Sequence, residues 1–108
     1  MLAKIKYTSS YKEDLSNILI YQVFKFRSRT SALNLLLIIS EKTKLVAVTP
    51  EAYPVYKQDN KNKKNKIRTF KVKNYTIFYK YDKKKNAVEF LRIVYSRRDF
   101  SKILRIPK

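Results

Sequence analysis

The stretch Ile67–Leu104, IRTFKVKNYTIFYKYDKKKNAVEFLRIVYSRRDFSKIL, decides the fold. Ile67 to Val72, Tyr75 to Asp82 and Ala87 to Tyr95 are runs of β-branched and aromatic residues with period-2 alternation, which is the pattern of strands. Lys73 and Asn74 make the first turn and Lys83 to Asn86 the second. Connections this short leave no room for a crossover, so the three strands form an antiparallel meander. Strict alternation puts Tyr75, Ile77, Tyr79 and Tyr81 on one face of the middle strand and Thr76, Phe78 and Lys80 on the other. On the last strand it puts Val88, Phe90, Arg92 and Val94 on one side and Leu91, Ile93 and Tyr95 on the opposite side. Apolar residues on both sides mark this strand as central and covered on both faces.

Upstream, Ala3, Ile5 and Tyr7 alternate with Lys4 and Lys6, the period of a half-buried strand. Ser10 followed by Glu13 has the spacing of a capping box, which places the start of a first helix there. Tyr11, Leu15, Ile18, Leu19 and Gln22 or Phe26 recur at spacings of three and four and form its inward stripe, and cations from Arg27 to Arg29 suit its end. Ser28 or Thr30 can cap a second helix with Ala32, Leu35, Leu36 and Ile39 turned inward. Leu33, Leu37 and Ile38 lie off that stripe. Either helix 2 is buried on two sides, or these residues form a groove for a partner's apolar segment. From Leu45 to Asn65, Pro50 and Pro54 break regular structure, and Tyr53 and Tyr56 are expected to lid the core. Asp99 to Leu104 allow a short C-terminal helix. The expected fold is α+β: a single domain over residues 1–108, ordered β-α-α-β-β-β, with a helical hairpin on an antiparallel sheet.

At 108 residues the chain suits one core. It has neither cysteine nor histidine, which removes disulfides, thiolate zinc sites, the commonest metal ligand and the usual base near neutral pH. No metal or cofactor is expected, and without glycine the phosphate loops of nucleotide folds are impossible. Twenty-six Lys and Arg against eight Asp and Glu give a formal charge of +18, a field that favours nucleic acid, the ribosome or an acidic protein. Nucleotide bias in the genome is the bland source of the same lysines, and KQDNKNKKNK, from Lys57 to Lys66, reads as a charged loop. The densest apolar run, LNLLLIIS from Leu33, is far below the roughly 18 residues of a membrane span, so no membrane contact and a cytoplasmic location are expected.

The order of elements, with YKEDLSNILIY (residues 11–21), TPEAYP (49–54), KNYTIFYKYD (73–82) and RIVYSRRDFSKIL (92–104), resembles the RelE/ParE superfamily of bacterial toxins. The resemblance implies a type II toxin-antitoxin module, with the toxin held inactive by a cognate antitoxin, and part of that contact is expected on Leu33, Leu37 and Ile38. Two positions depart from the common pattern: Thr76 stands where an arginine is usual, and Tyr95 where many relatives carry histidine. RelE-like toxins cut messenger RNA on the ribosome, whereas ParE-like toxins poison DNA gyrase without known chemistry of their own. Fold does not choose between them.

RNA cleavage without metal needs a group to deprotonate the 2′-hydroxyl, cations for the growing phosphate charge and a proton for the leaving oxygen. The candidates are Arg97 and Arg98 as phosphate clamps, Arg68 as a supporting cation and Tyr95 as a stacking or proton-transfer group. Lys71, Lys66, Lys64 and Lys63 are expected to bind RNA. Against this stand plainer roles: Tyr95 as a core tyrosine, the arginine pair as a strand cap, Arg92 as a structural hydrogen-bonder and the loop lysines as solvated charges. Asp14 is assigned to the helix start, and among the carboxylates only Glu89 is a candidate base. The first expectation is a ribosome-dependent mRNA endonuclease, and the second a non-enzymatic gyrase poison.

Overall fold

A computed structural model describes residues 2–57 and 66–97. In order, the elements are β1 (Lys4–Tyr7), α1 (Ser9–Phe26), α2 (Arg29–Val48), β2 (Val55–Lys57), β3 (Ile67–Val72), β4 (Tyr75–Asp82) and β5 (Ala87–Tyr95). The strands form one sheet in the order β1-β5-β4-β3-β2. The α+β arrangement, with two helices on a sheet, follows the sequence reading. The sheet is mixed, however, since β1 pairs with β5 in parallel while the other neighbours are antiparallel. The helical hairpin between β1 and the meander carries the chain across the sheet, and that crossover permits the parallel pairing.

The proline-bearing stretch expected to be irregular contains regular structure at both ends. Helix α2 continues to Val48 because Val46 and Ala47 are buried, and β2 pairs with β3 after Pro54. The first helix begins at Ser9, capped by Thr8 and not by Ser10: the Thr8 hydroxyl accepts from the Tyr11 N–H at 3.0 Å. Thr8 is also fixed by the sheet, donating its N–H to Phe90 O at 3.0 Å and its hydroxyl to Leu91 O at 2.8 Å. The strand thus hands directly into the helix, and Glu13 stays exposed outside the cap. Ser28 caps α2 by accepting from the Ser31 N–H at 3.2 Å. Arg27 between the helices adopts φ 48°, a left-handed conformation usually given to glycine, which this chain lacks.

Strict alternation fails in β5. Phe78 pairs with Arg92 and Tyr79 with Phe90, so one extra residue is inserted in β5 and the parity of its side chains reverses. Val88, Phe90 and Ile93 therefore share the main core with Ile77, Tyr79, Ile39 and Val46, while Leu91 and Val94 join Phe78 in a second cluster on the opposite face. The expected grouping of Val94 with Phe90, and of Leu91 with Ile93, is corrected accordingly. The insertion interrupts the ladder, and α1 supplies replacements: Thr8 binds Leu91 O, and an Asp14 carboxylate oxygen accepts the Ile93 N–H at 3.2 Å. Tyr53 packs against the main core and Tyr56 lies edge-on to Phe78.

Candidate functional site

The turn after β5 is held to the β3–β4 turn by the Ser96 N–H, which donates to Asn74 O at 2.8 Å. Tyr95, Arg97, Lys71 and Lys73 therefore gather at one end of the sheet. Tyr95 pairs with Tyr75 and packs edge-on to it at 6.1 Å between ring centres, yet remains 41% exposed because β5 ends there. Tyr75 in turn accepts from Gln22 of α1 at 3.5 Å, so this aromatic pair stands against the helices. Lys71 pairs with Thr76 and projects from the opposite face, where the Thr76 and Ser96 hydroxyls lie 2.9 Å apart. Arg97 is exposed.

Of the remaining predicted residues, Arg68, Lys66 and Glu89 do not converge on this end. Arg68, paired with Tyr79, donates through Nη1 to Tyr53 O at 2.7 Å and Glu51 O at 3.2 Å, and so straps the turn before β2 to β3. Lys66 is exposed just ahead of β3, at the far end of the sheet from Tyr95. Glu89 sits between Lys6 and Lys80 in register. Arg98, Lys63, Lys64 and the C-terminal helix expected from Asp99 to Leu104 lie outside the described residues.

Asp14 is the functional-looking carboxylate that sequence reasoning assigns elsewhere. It lies in the second turn of α1 and takes Arg92 Nε at 2.6 Å and Nη2 at 2.9 Å, with both side chains mostly shielded. The Asp14 hydrogen bond raises the Arg92 guanidinium above its ordinary pKa, with burial opposing. Asp14–Arg92 is thus a structural clamp. Burial likewise drives the Tyr11 and Tyr79 hydroxyls well above the usual phenol range, and Tyr79 donates to Pro50 O at 2.6 Å. Neither can serve as a base near neutral pH.

A second surface lies on the outside of the helical hairpin. Leu33, Leu37 and Ile38 are exposed, as are Ile20, Tyr21 and Phe24 on α1, with Phe24 at 78%. Leu33 and Leu37, and Ile20 and Phe24, are each four residues apart, so each helix carries an apolar stripe that the sheet does not cover. Of the two readings of the surplus leucines, burial on two sides is removed.

Over residues 5–100 the chain matches the family described as ParE toxin of type II toxin-antitoxin system, parDE. The chain belongs to this ParE toxin family. Among solved structures, the toxin is similar to a chain of a chromosomal ParDE system from P. aeruginosa, with a TM-score of 0.68 and 17% identity over 87% of this chain and 96% of that one. A chain of the RelBE2 toxin-antitoxin complex from Mycobacterium tuberculosis gives 0.59 and 10% over 88% and 99%. A chain of the archaeal RelE-RelB complex from Pyrococcus horikoshii gives 0.51 and 14% over 92% and 100%. At these identities the likeness is one of fold. No curated protein matches the chain in sequence. Among the described residues, no helix of the toxin is long and apolar enough to cross a membrane.

Proposed function

We propose that this ParE-family toxin acts by binding and blocking DNA gyrase, without breaking a bond itself, and that a cognate antitoxin silences it by covering the outer face of the helical hairpin. The observation that carries the target reading is the commitment of Arg68. A phosphate-stabilising cation must be free to meet charge as it develops, and this guanidinium already donates to two backbone carbonyls at the end of the sheet remote from Tyr95. Tyr95 and Lys71 project from opposite faces, so they do not flank one phosphate. The family match over residues 5–100 supports the same side of the superfamily.

The antitoxin reading rests on the two apolar stripes. Leu33, Leu37, Ile20 and Phe24 offer an unpartnered surface suited to an amphipathic segment, and the +18 charge favours an acidic one. A ribosome-dependent endonuclease is the second reading, favoured by the exposed Arg97 beside Tyr95. Purified toxin added to gyrase and supercoiled plasmid, with primer extension on ribosome-bound message in parallel, separates the two. The expected result is accumulated cleaved DNA with intact message. Message cut at the ribosome, with normal gyrase turnover and loss of cutting in Arg97→Ala, would overturn the proposal.

A further inference from the structure

We propose that the β4–β5 hairpin end of the toxin is a binding site for the phosphate backbone of double-stranded DNA, engaged by the toxin on its own. This goes beyond the gyrase reading, since it concerns contact with DNA in the absence of any enzyme.

A groove of about 830 Å³ at this end is lined by seven cationic and three acidic side chains, the cations including Lys6, Lys66, Lys80, Lys83, Lys84 and Lys85. Among the described residues, none of the turn lysines is ion-paired with a carboxylate. Asp82, the nearest acid in sequence, is occupied in shaping the turn: its Oδ1 accepts the N–H groups of Lys84 and Lys85 at 3.0 and 3.2 Å. Asn86, at φ 46°, closes the turn. Its side-chain oxygen accepts from the Tyr81 hydroxyl at 2.8 Å, and its carbonyl accepts the Lys4 N–H of β1 at 2.8 Å. Three consecutive exposed lysines therefore ride on a backbone fixed at both sides, so little ordering of the main chain is needed when an anion binds.

The lining chooses the anion. Proteins that hold single strands add aromatic faces on which bases stack. Here Phe78, Tyr79 and Phe90 are buried, and the lone aromatic in the lining, Tyr81, has its hydroxyl committed to Asn86. Recognition of RNA duplexes uses polar groups that meet 2′-hydroxyls. The lining has no neutral polar side chain besides Tyr81. What remains is a set of point charges, seven cationic against three acidic with Glu89 between Lys6 and Lys80, which attracts phosphate without reading bases. From Lys6 on β1 to Lys80 on β4, which share a face, the array crosses two strand spacings, about 10 Å, enough for roughly three phosphates per strand along the axis of B-DNA.

The test is fluorescence anisotropy of the full-length toxin with a blunt DNA duplex of about 20 base pairs across a salt series, with no gyrase present. The triple variant Lys83→Ala, Lys84→Ala, Lys85→Ala should bind more weakly, and the slope of log affinity against log salt should fall by about 3, close to one for each phosphate left without its lysine. Removing the same charge from the helices with Lys12→Ala, Lys25→Ala, Lys44→Ala should leave that slope within about 1 of the parent. Thermal unfolding of both variants, and a glutamine version of the turn triple, guard against misfolding. Equal losses in the two triples would reduce the site to a general field and overturn the proposal. Tighter binding of single-stranded or duplex RNA than of the DNA duplex would overturn it too. Because gyrase is absent, a failure here leaves the cleaved-complex assay to judge the gyrase reading separately.

Discussion

Replacing Asp14 by alanine should destabilise the toxin by about 2.5–3.5 kcal/mol. The substitution removes the acceptor of Arg92 Nε at 2.6 Å, of Arg92 Nη2 at 2.9 Å and of the Ile93 N–H at 3.2 Å. Breaking a fully buried ion pair from one side costs roughly 3–5 kcal/mol. The Arg92 and Asp14 side chains keep 25% and 16% of their exposure, so water can partly replace the lost carboxylate, and about half of that figure applies. The Ile93 amide, which the β5 insertion takes out of the ladder, adds about 1 kcal/mol. Against a total stability of about 5–15 kcal/mol, the change should lower Tm by roughly 8–15 °C. Asp14→Asn keeps an oxygen for the Ile93 amide and should fall between parent and alanine. A double-mutant cycle with Arg92→Leu should give a coupling of about 1–2 kcal/mol. Chemical and thermal unfolding followed by circular dichroism supply all four corners. An Asp14→Ala cost under about 0.5 kcal/mol, or a coupling of zero, would refute the clamp and the account of the bulge with it. The guanidinium side of the clamp should not titrate in ordinary buffers: a cation whose pKa is raised above its ordinary value contributes fully below that ordinary value and loses its contribution only as pH climbs toward the raised one.

Thr8→Ala removes both the helix cap and the hydroxyl bond to Leu91 O, and should cost about 1–2 kcal/mol in equilibrium unfolding, whereas Ser10→Ala should change stability by less than about 0.5 kcal/mol. Arg27→Gly relieves a left-handed side-chain-bearing residue between the helices and should raise stability by about 1 kcal/mol, read as a Tm gain of a few degrees; a loss would show that the Arg27 side chain contributes more than its backbone costs. Tyr11 and Tyr79 have folded pKa values raised by burial, so the stability of their neutral forms is complete below the ordinary phenol pKa of 10.0 and is lost as pH rises beyond it. Absorbance titration of the nine tyrosines should show two ionising late and together with unfolding. Leu37→Asp, at a position 61% exposed, should leave Tm nearly unchanged while weakening antitoxin binding at least tenfold by calorimetry.

Strands β1, β3, β4 and β5, both turns of the meander and most of the inward stripes of the two helices are readable because each obeys a local period, whereas Phe26, at the end of α1, is exposed and not inward. That Leu33, Leu37 and Ile38 fall off the buried stripe of α2 is readable for the same reason, but whether a second layer covers them is not local information, and only the structure leaves them exposed. Local spacing misplaces the N-cap because Ser10 and Glu13 satisfy it, while Thr8 is selected by the β1–β5 pairing, which involves residues more than eighty positions away. Arg68 reads as a free cation on a strand. Its partners, the Glu51 and Tyr53 carbonyls, are backbone groups whose positions no side-chain pattern encodes.

By itself the sequence determined the type and order of every element except β2, the cationic charge of the chain and the absence of histidine and cysteine. Each of these depends on composition or on neighbours within a few residues. Tertiary structure alone decided the parallel placement of β1, the insertion that reverses side-chain parity in β5, and the placement of Arg68 and Lys66 at the opposite end of the sheet from Lys71 and Arg97. One extra residue in a strand turns every later side chain to the other face. Whether a strand carries that residue is settled by the pairing partner and by the groups, here Thr8 and Asp14, that satisfy the backbone it frees.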